Sequence, residues 1–142
     1  EEWFKPAAYA LILLRQDGLP CVFYGDYYGI SGKYAQEDFK EILDRLLAIR
    51  KDRAYGEQTD YFDNANCIGW VRSGAENQSP IAVLISNDQE NIKSMFVGQE
   101  WTNQTFVDLL GNHQGQVTID KEGYGQFPVS ATSVSVWAAN TI

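Results

Sequence analysis

The chain changes its hydrophobic period once. Up to about residue 51 the apolar positions follow helical spacing, broken by one short continuous run; from Gly56 onward they alternate. Over residues 2–15, Trp3, Phe4, Ala7, Ala8, Leu11 and Leu14 share one face, while Tyr9, Ala10, Ile12 and Leu13 fill the others. A helix apolar nearly all round is buried between layers. Gly18 and Pro20 stop it. Residues 20–24 are a short apolar run with a polar exit, the pattern of a buried parallel strand. A Gly/Tyr-rich loop, 25–35, follows. A second helix is expected from Gln36 to Lys51, with Phe39, Ile42, Leu43, Leu46 and Leu47 on its apolar side and charges opposite. Glu37 and Asp38 at its start and Arg50 and Lys51 at its end suit the helix dipole.

Beyond a boundary at Asp52 to Glu57, alternation predicts strands in 67–72, 81–86, 92–97, 105–110, 116–120, 125–129 and 133–137. Turn signals separate them, and this spacing means an antiparallel sandwich or barrel. Asp120 to Tyr124 reads as a tight hairpin, with Gly123 supplying the positive φ.

Composition narrows the partners. The 142 residues hold 19 acidic and 11 basic side chains, a net charge of −8, which argues against nucleic acid and anionic membrane surfaces. No segment approaches the roughly 20 apolar residues of a membrane span. Cys21 and Cys67 lack metal-type spacing and read as buried small hydrophobes, so a reducing compartment is favoured. Gly25, Gly29 and Gly32 resemble a phosphate loop only loosely and no Lys-Ser/Thr follows, which sets nucleotide binding aside.

Candidate chemistry gathers after the predicted strand, because α/β enzymes place ligands at the carboxyl ends of parallel strands. Asp26 either orients a pocket through hydrogen bonds or caps a turn. Tyr27 and Tyr28 either stack on a sugar at a rim or pack under the next helix. Trp70 and Trp137 read as core, and Trp101 is the better candidate for an exposed stacking platform. His113, the only histidine, reads as a loop residue.

Several segments carry a resemblance. Trp3-Phe-Lys-Pro-Ala-Ala-Tyr-Ala-Leu-Ile-Leu-Leu-Arg15, Cys21-Val-Phe-Tyr-Gly-Asp-Tyr-Tyr-Gly29 and Leu47-Ala-Ile-Arg-Lys-Asp-Arg-Ala-Tyr-Gly56 resemble the end of the catalytic barrel of bacterial α-amylases. Asp60-Tyr-Phe-Asp63, Cys67-Ile-Gly-Trp-Val-Arg-Ser-Gly74, Leu110-Gly-Asn-His113, Gly123-Tyr-Gly125 and Ser133-Val-Ser-Val-Trp137 resemble their C-terminal β domain. The resemblance runs along essentially the whole chain and is nearest to the liquefying-type and intracellular branch.

It implies an α/β plus all-β chain: residues 1–54 as the last helix–strand–helix of a (β/α)8 TIM barrel, and 55–142 as an antiparallel Greek-key β-sandwich. The parent would be a retaining endo-hydrolase of α-1,4-glucosidic bonds in starch- or glycogen-type glucans. Its reactive carboxylates would lie upstream, the last in an Asn-His-Asp motif absent here, so no catalytic residue is carried over. The fragment is expected to be inactive alone, with its β domain stabilising the barrel. The alternative is a non-catalytic carbohydrate-binding β-sandwich, in which exposed aromatics such as Trp101 or Tyr124 would stack on glucan.

No cofactor is expected in this chain. Calcium is possible in the parent, between barrel and β domain, at positions matching the Ala65 carbonyl, Asn66 and Asn87. Where relatives supply carboxylates this chain has amides, which weakens calcium binding. The expected partners are an α-glucan for the parent and, for the apolar segment 1–35 unless it packs on the β domain itself, either the upstream barrel or another copy of the chain. A cytoplasmic location is favoured, with secretion left open because the parent's N-terminus is not visible.

Overall fold

The structure, a computed structural model, describes residues 1–140. A 3-10 turn at Glu2–Phe4 leads into α1 (Lys5–Leu14), with Pro6 in its first turn where no amide partner is needed. After an extended stretch come a single-turn helix α2 (Tyr24–Tyr28) and the amphipathic α3 (Lys40–Asp52). Eight strands follow: β1 (Gln58–Tyr61), β2 (Cys67–Arg72), β3 (Ile81–Ser86), β4 (Asn91–Phe96), β5 (Thr105–Asp108), β6 (Gln116–Thr118), β7 (Tyr124–Val129) and β8 (Val134–Ala139).

Every strand pair is antiparallel. Six strands form one sheet in the order β1-β2-β3-β8-β5-β6, and β4 pairs with β7 in a second sheet. The layers follow from side-chain alternation. Ile81, Val83 and Ile85 of β3 and Val134, Val136 and Ala138 of β8 join Leu13, Leu14, Leu43 and Leu46 in a core under the helices. Ala82, Leu84 and Trp137 face the other way and join Met95, Phe106, Phe127 and Val129 in a core under β4 and β7. The large sheet is thus sandwiched between α1/α3 and the small sheet. Both faces of β3 and β8 are therefore dry, and each strand is buried at every position.

The apolar first helix packs on the β domain, through Ala7, Tyr9, Ala10, Leu13 and Leu14. Ile12 stays exposed, so its apolar surround is only partly covered.

Some expectations need correction. Residues 20–24 do not form a strand: Cys21 to Phe23 are unpaired and Tyr24 already opens α2. A parallel strand exists only with a neighbour to complete its ladder, and none stands beside it among the described residues. Phe23 keeps extended angles (φ −74°, ψ 131°) and its amide donates to the Tyr9 hydroxyl at 3.2 Å. Cys21, expected to be buried, is exposed for the same reason; Cys67 is buried. The turn at Asp120–Tyr124 forms, with Gly123 at φ +89°, but it is no hairpin. The strands it joins, β6 and β7, belong to different sheets. The second helix starts at Lys40, not Gln36, because Gln36 bridges back to Ile30. The polar β1 was not anticipated.

Candidate functional site

The helical turn of α2 decides where its residues point. The amides of Asp26 and Tyr27 both donate to the Phe23 carbonyl, at 3.1 and 3.2 Å. This turn sends Asp26 inward and Tyr24 and Tyr28, one turn apart, outward with ring centroids 4.8 Å apart.

Asp26 is 9% exposed. Its Oδ1 accepts from Lys5 Nζ at 2.7 Å and from Gln36 Nε2 at 2.6 Å; its Oδ2 accepts from the Tyr9 hydroxyl at 2.5 Å. Burial pushes this carboxyl up, but the donors Lys5, Tyr9 and Gln36 together outweigh it and hold it below its ordinary value. The Tyr9 hydroxyl is pushed up, first by burial and then by donating to Asp26. The Phe39 amide also donates to the Asp26 carbonyl, at 2.7 Å. One residue therefore ties α1, the loop and the start of α3. An ionised, fully satisfied carboxylate is suited to holding geometry and unsuited to donating a proton at neutral pH.

Tyr27 turns toward α3: its hydroxyl donates to Asp44 at 2.6 Å, and Lys40 Nζ stands 5.3 Å from its ring centre. Tyr28 remains exposed beside it, edge-on at 4.6 Å. Phe23, Tyr24, Ile30 and Tyr34 are exposed too, so the loop presents an aromatic surface wider than the pair singled out from sequence. Its signal was the Tyr-rich composition of 24–34. Trp101 lies elsewhere, in a 3-10 turn (Gln99–Trp101) beside the core under the small sheet. It is half-buried, with its ring edge-on to Phe106 at 6.1 Å. Trp70 and Trp137 are fully buried. His113 is half-buried with a buried, unpartnered Nδ1, and its ring centre lies 5.7 Å from that of Trp137.

Ala65, Asn66 and Asn87 sit together at one end of the β2–β3 ladder, since Cys67 pairs with Ser86. The Asn87 amide donates to the Asn66 carbonyl at 3.1 Å, and the Asn66 amide to Asn64 Oδ1 at 2.9 Å. All three residues are exposed. The set offers carbonyl and amide oxygens without a carboxylate, and Asp63 nearby is ion-paired to Lys93 of β4. Such neutral donors beside an ammonium group do not fit a tight calcium site. No group of three or more His, Cys, Asp or Glu among the described residues is arranged to hold a metal. No helix among them is long and apolar enough to cross a membrane.

Residues 81–138 match the family model described as alpha-amylase C-terminal. Over 139 residues the chain is 48% identical to an alpha-amylase of Geobacillus stearothermophilus, covering 96% of this chain and 25% of that protein. It is 46% identical over 139 residues to a glucan 1,4-alpha-maltohexaosidase of Bacillus sp. (strain 707), covering 96% of this chain and 27% of that one. A cytoplasmic alpha-amylase of Escherichia coli K12 is 40% identical over 151 residues, spanning all of this chain and 30% of its own length. The chain thus spans about a quarter to a third of the curated relatives it matches. Among solved structures, a cyclomaltodextrin glucanotransferase with a three-domain ABC distribution superposes with a TM-score of 0.69 at 18% identity, over all of this chain and 33% of its own. That likeness concerns the fold alone.

Proposed function

The chain belongs with the C-terminal part of bacterial α-amylases, and we propose that in its parent it supplies the closing segment of a (β/α)8 barrel (residues 1–54) and a Greek-key β domain (55–142) that holds this segment in place. The parent hydrolyses internal α-1,4-glucosidic bonds of starch- or glycogen-type glucans with retention. In this reading the reactive carboxylate pair is supplied by the upstream part of the parent. The observation that carries the reading is the continuous core from α1 and α3 into β3 and β8: the helical segment is built to sit on the β domain, as a tether between the two would require. The insertion of β8 between β3 and β5 supports the Greek-key connection.

In the parent, unpaired Cys21–Phe23 would take up strand pairing with upstream chain, and the exposed aromatic loop at Tyr24, Tyr28 and Tyr34 would face barrel and substrate. Asp26 would fix that loop. Retaining cleavage needs a nucleophile and an acid about 5–5.5 Å apart. Asp26, held ionised, is unsuited to the acid's task, and, buried with both oxygens engaged by Lys5, Gln36 and Tyr9, it is not presented as the nucleophile. The cytoplasmic relative supports a cytoplasmic location for the parent. The residues at Ala65, Asn66 and Asn87 carry no calcium in this reading.

The test joins this chain to the upstream three-quarters of the Geobacillus stearothermophilus enzyme and assays reducing ends released from soluble starch. The chimera is expected to hydrolyse starch and the 142-residue chain alone to release nothing. Hydrolysis by the chain alone would overturn the proposal, as would a folded chimera without activity.

A further inference from the structure

The small sheet has a solvent face that the fold does not use. Its inward residues, Lys93, Met95, Phe127 and Val129, are buried. Its outward residues lie opposite one another in three rungs: Ile92 with Pro128, Ser94 with Gln126, and Phe96 with Tyr124. The Phe96 and Tyr124 ring centres are 5.3 Å apart at 57°, and the Gln126 amide donates to the Ser94 hydroxyl at 3.0 Å. Phe96 and Tyr124 are 43% and 39% exposed, and Ile92 is 59% exposed.

Two features set this face apart. None of its six residues is charged, although the chain carries 30 charged side chains and a net charge of −8. An exposed face of aromatic, hydroxyl and amide groups without charge matches a neutral, hydroxyl-rich ligand that offers C–H faces to rings and O–H groups to amides. It matches a charged protein partner poorly. The second feature is position. The face lies on the side of the large sheet opposite α1 and α3, so the rest of a barrel attached through those helices would not cover it.

The Phe96 ring also rests on a shaped support. Its Cε2 lies 2.7 Å from where a Gly123 side chain would begin, so the ring settles over a turn that only glycine leaves open. The Phe96 amide donates to the Tyr61 hydroxyl at 3.0 Å, which pins this end of β4 to β1. The stripe from Phe96 to Ile92 extends about 14 Å along the strand.

We propose that the outward face of β4 and β7 is a secondary binding site for a neutral α-1,4-glucan chain, with Phe96 and Tyr124 stacking on sugar rings and Ser94 and Gln126 meeting their hydroxyls. The choice of an α-1,4-glucan rests on the function proposed above; the aromatic face and its neutrality do not.

Titration of the ¹⁵N-labelled chain with maltoheptaose tests it. The amides of Ser94, Phe96, Tyr124 and Gln126 are expected to shift together, and Phe96→Ala/Tyr124→Ala is expected to weaken binding by about tenfold or more. Ser94→Glu, which keeps both rings and places a charge mid-stripe, is expected to weaken it comparably while thermal unfolding stays unchanged. No shifts at millimolar maltoheptaose would overturn the site. So would shifts confined to Tyr24 and Tyr28, or sedimentation showing a second copy of the chain on this face, dispersed by Ser94→Glu. Equal binding of cellohexaose would overturn the α-glucan assignment. An active chimera whose small-sheet face binds no maltoheptaose removes this inference and leaves the proposed function; an inactive folded chimera removes the function, whatever this face binds.

Discussion

The indole Nε1 of Trp70 donates to the backbone carbonyl of Leu14 at 3.3 Å. Leu14 is the last residue of α1, where helix geometry leaves carbonyls without intrahelical donors. Arg72, two residues along β2, gives the same carbonyl a second donor at 3.3 Å, and Arg50 of α3 donates to Leu13 at 2.7 Å. The end of α1 is thus capped by a strand and a neighbouring helix. Arg15 adds two contacts to Asp60 of β1, at 3.1 and 3.2 Å.

Trp70→Phe is expected to keep most of the packing and lose one bond, costing about 1–2 kcal/mol. Trp70→Ala is expected to cost about 3–5 kcal/mol. Because Trp70 and Arg72 share an acceptor, Trp70→Phe combined with Arg72→Met should depart from additivity by about 0.5 kcal/mol or more. Urea unfolding of the unaltered protein, the three single variants and the double variant checks these statements; strict additivity would mean that the shared carbonyl does not couple Trp70 and Arg72.

Asp26 gives a pH dependence with a definite sign. Its folded-state carboxyl is held below the ordinary 3.8 because donors from Lys5, Tyr9 and Gln36 outweigh its burial. A depressed carboxyl contributes stability that is complete above the unfolded value and is lost as pH falls through the folded one. Stability is therefore expected to decline below about pH 4, with α1 and the 25–36 loop loosening first. Asp26→Asn should flatten part of that decline and cost about 1–3 kcal/mol at pH 7, since the amide removes the charge facing Lys5 and its nitrogen cannot accept from the donors at the oxygen it replaces. Melting between pH 3 and pH 7 for both proteins provides the measurement.

How legible this was depends on where each element finds its partners. The strands β2 and β3 were readable because burial writes their pattern locally: Cys67–Val71 and Ile81–Ile85 run largely apolar because both faces of each strand are covered. Cys21 to Tyr24 is the same kind of run, yet Cys21 to Phe23 stays unpaired and Tyr24 turns helical, because a ladder depends on neighbours and these residues cannot report their absence. The polar β1 was unreadable for the opposite reason. It is an edge strand with half-exposed ends, and its pairing with β2 supplies what its side chains do not. The Asp26 cluster was legible only at its centre, since its donors lie 10, 17 and 21 residues away. The neutral face of β4 and β7 was legible only at Tyr124, because its rungs join residues of strands with two others between them in sequence.

Gly123 is a position where side-chain size decides the outcome. It sits at φ +89°, and a Cβ there would lie 2.6 Å from the Gly98 carbonyl carbon and 2.7 Å from the Gln99 nitrogen. Backbone atoms cannot yield as a flexible side chain does. Gly123→Ala is expected to destabilise by about 1–3 kcal/mol. It should also displace the Phe96 ring, visible as lost aromatic shifts in the NMR spectrum of a still-folded protein.

The amides at Asn66 and Asn87 imply indifference to calcium. Neutral oxygens at a corner beside the Lys93–Asp63 ion pair bind a divalent cation weakly. The melting temperature is expected to be the same in EDTA as in millimolar calcium. Asn66→Asp with Asn87→Asp adds two charges where the ladder already brings the residues together, and should introduce calcium-dependent stabilisation. Calorimetry of both proteins in both conditions checks this, and a large EDTA effect on the unaltered chain would contradict it.

The two thiols should behave as opposites. Cys21 lies exposed in the unpaired stretch before α2, while Cys67 is 1% exposed at the start of β2. Reaction requires the thiolate. Burial pushes the Cys67 thiol up, and the nearby Lys93 ammonium only partly offsets this. A disulfide-exchange reagent at pH 8 is expected to label one thiol per chain quickly, and the second only at the rate of unfolding or in denaturant. Cys21→Ser should remove the fast phase and leave the slow one. If upstream barrel chain pairs with Cys21–Phe23 as proposed, the fast phase should slow markedly in the chimera while Cys67 stays unchanged. Fast labelling of Cys21 in an active chimera would show that this stretch stays open there, and would refute the proposed strand pairing.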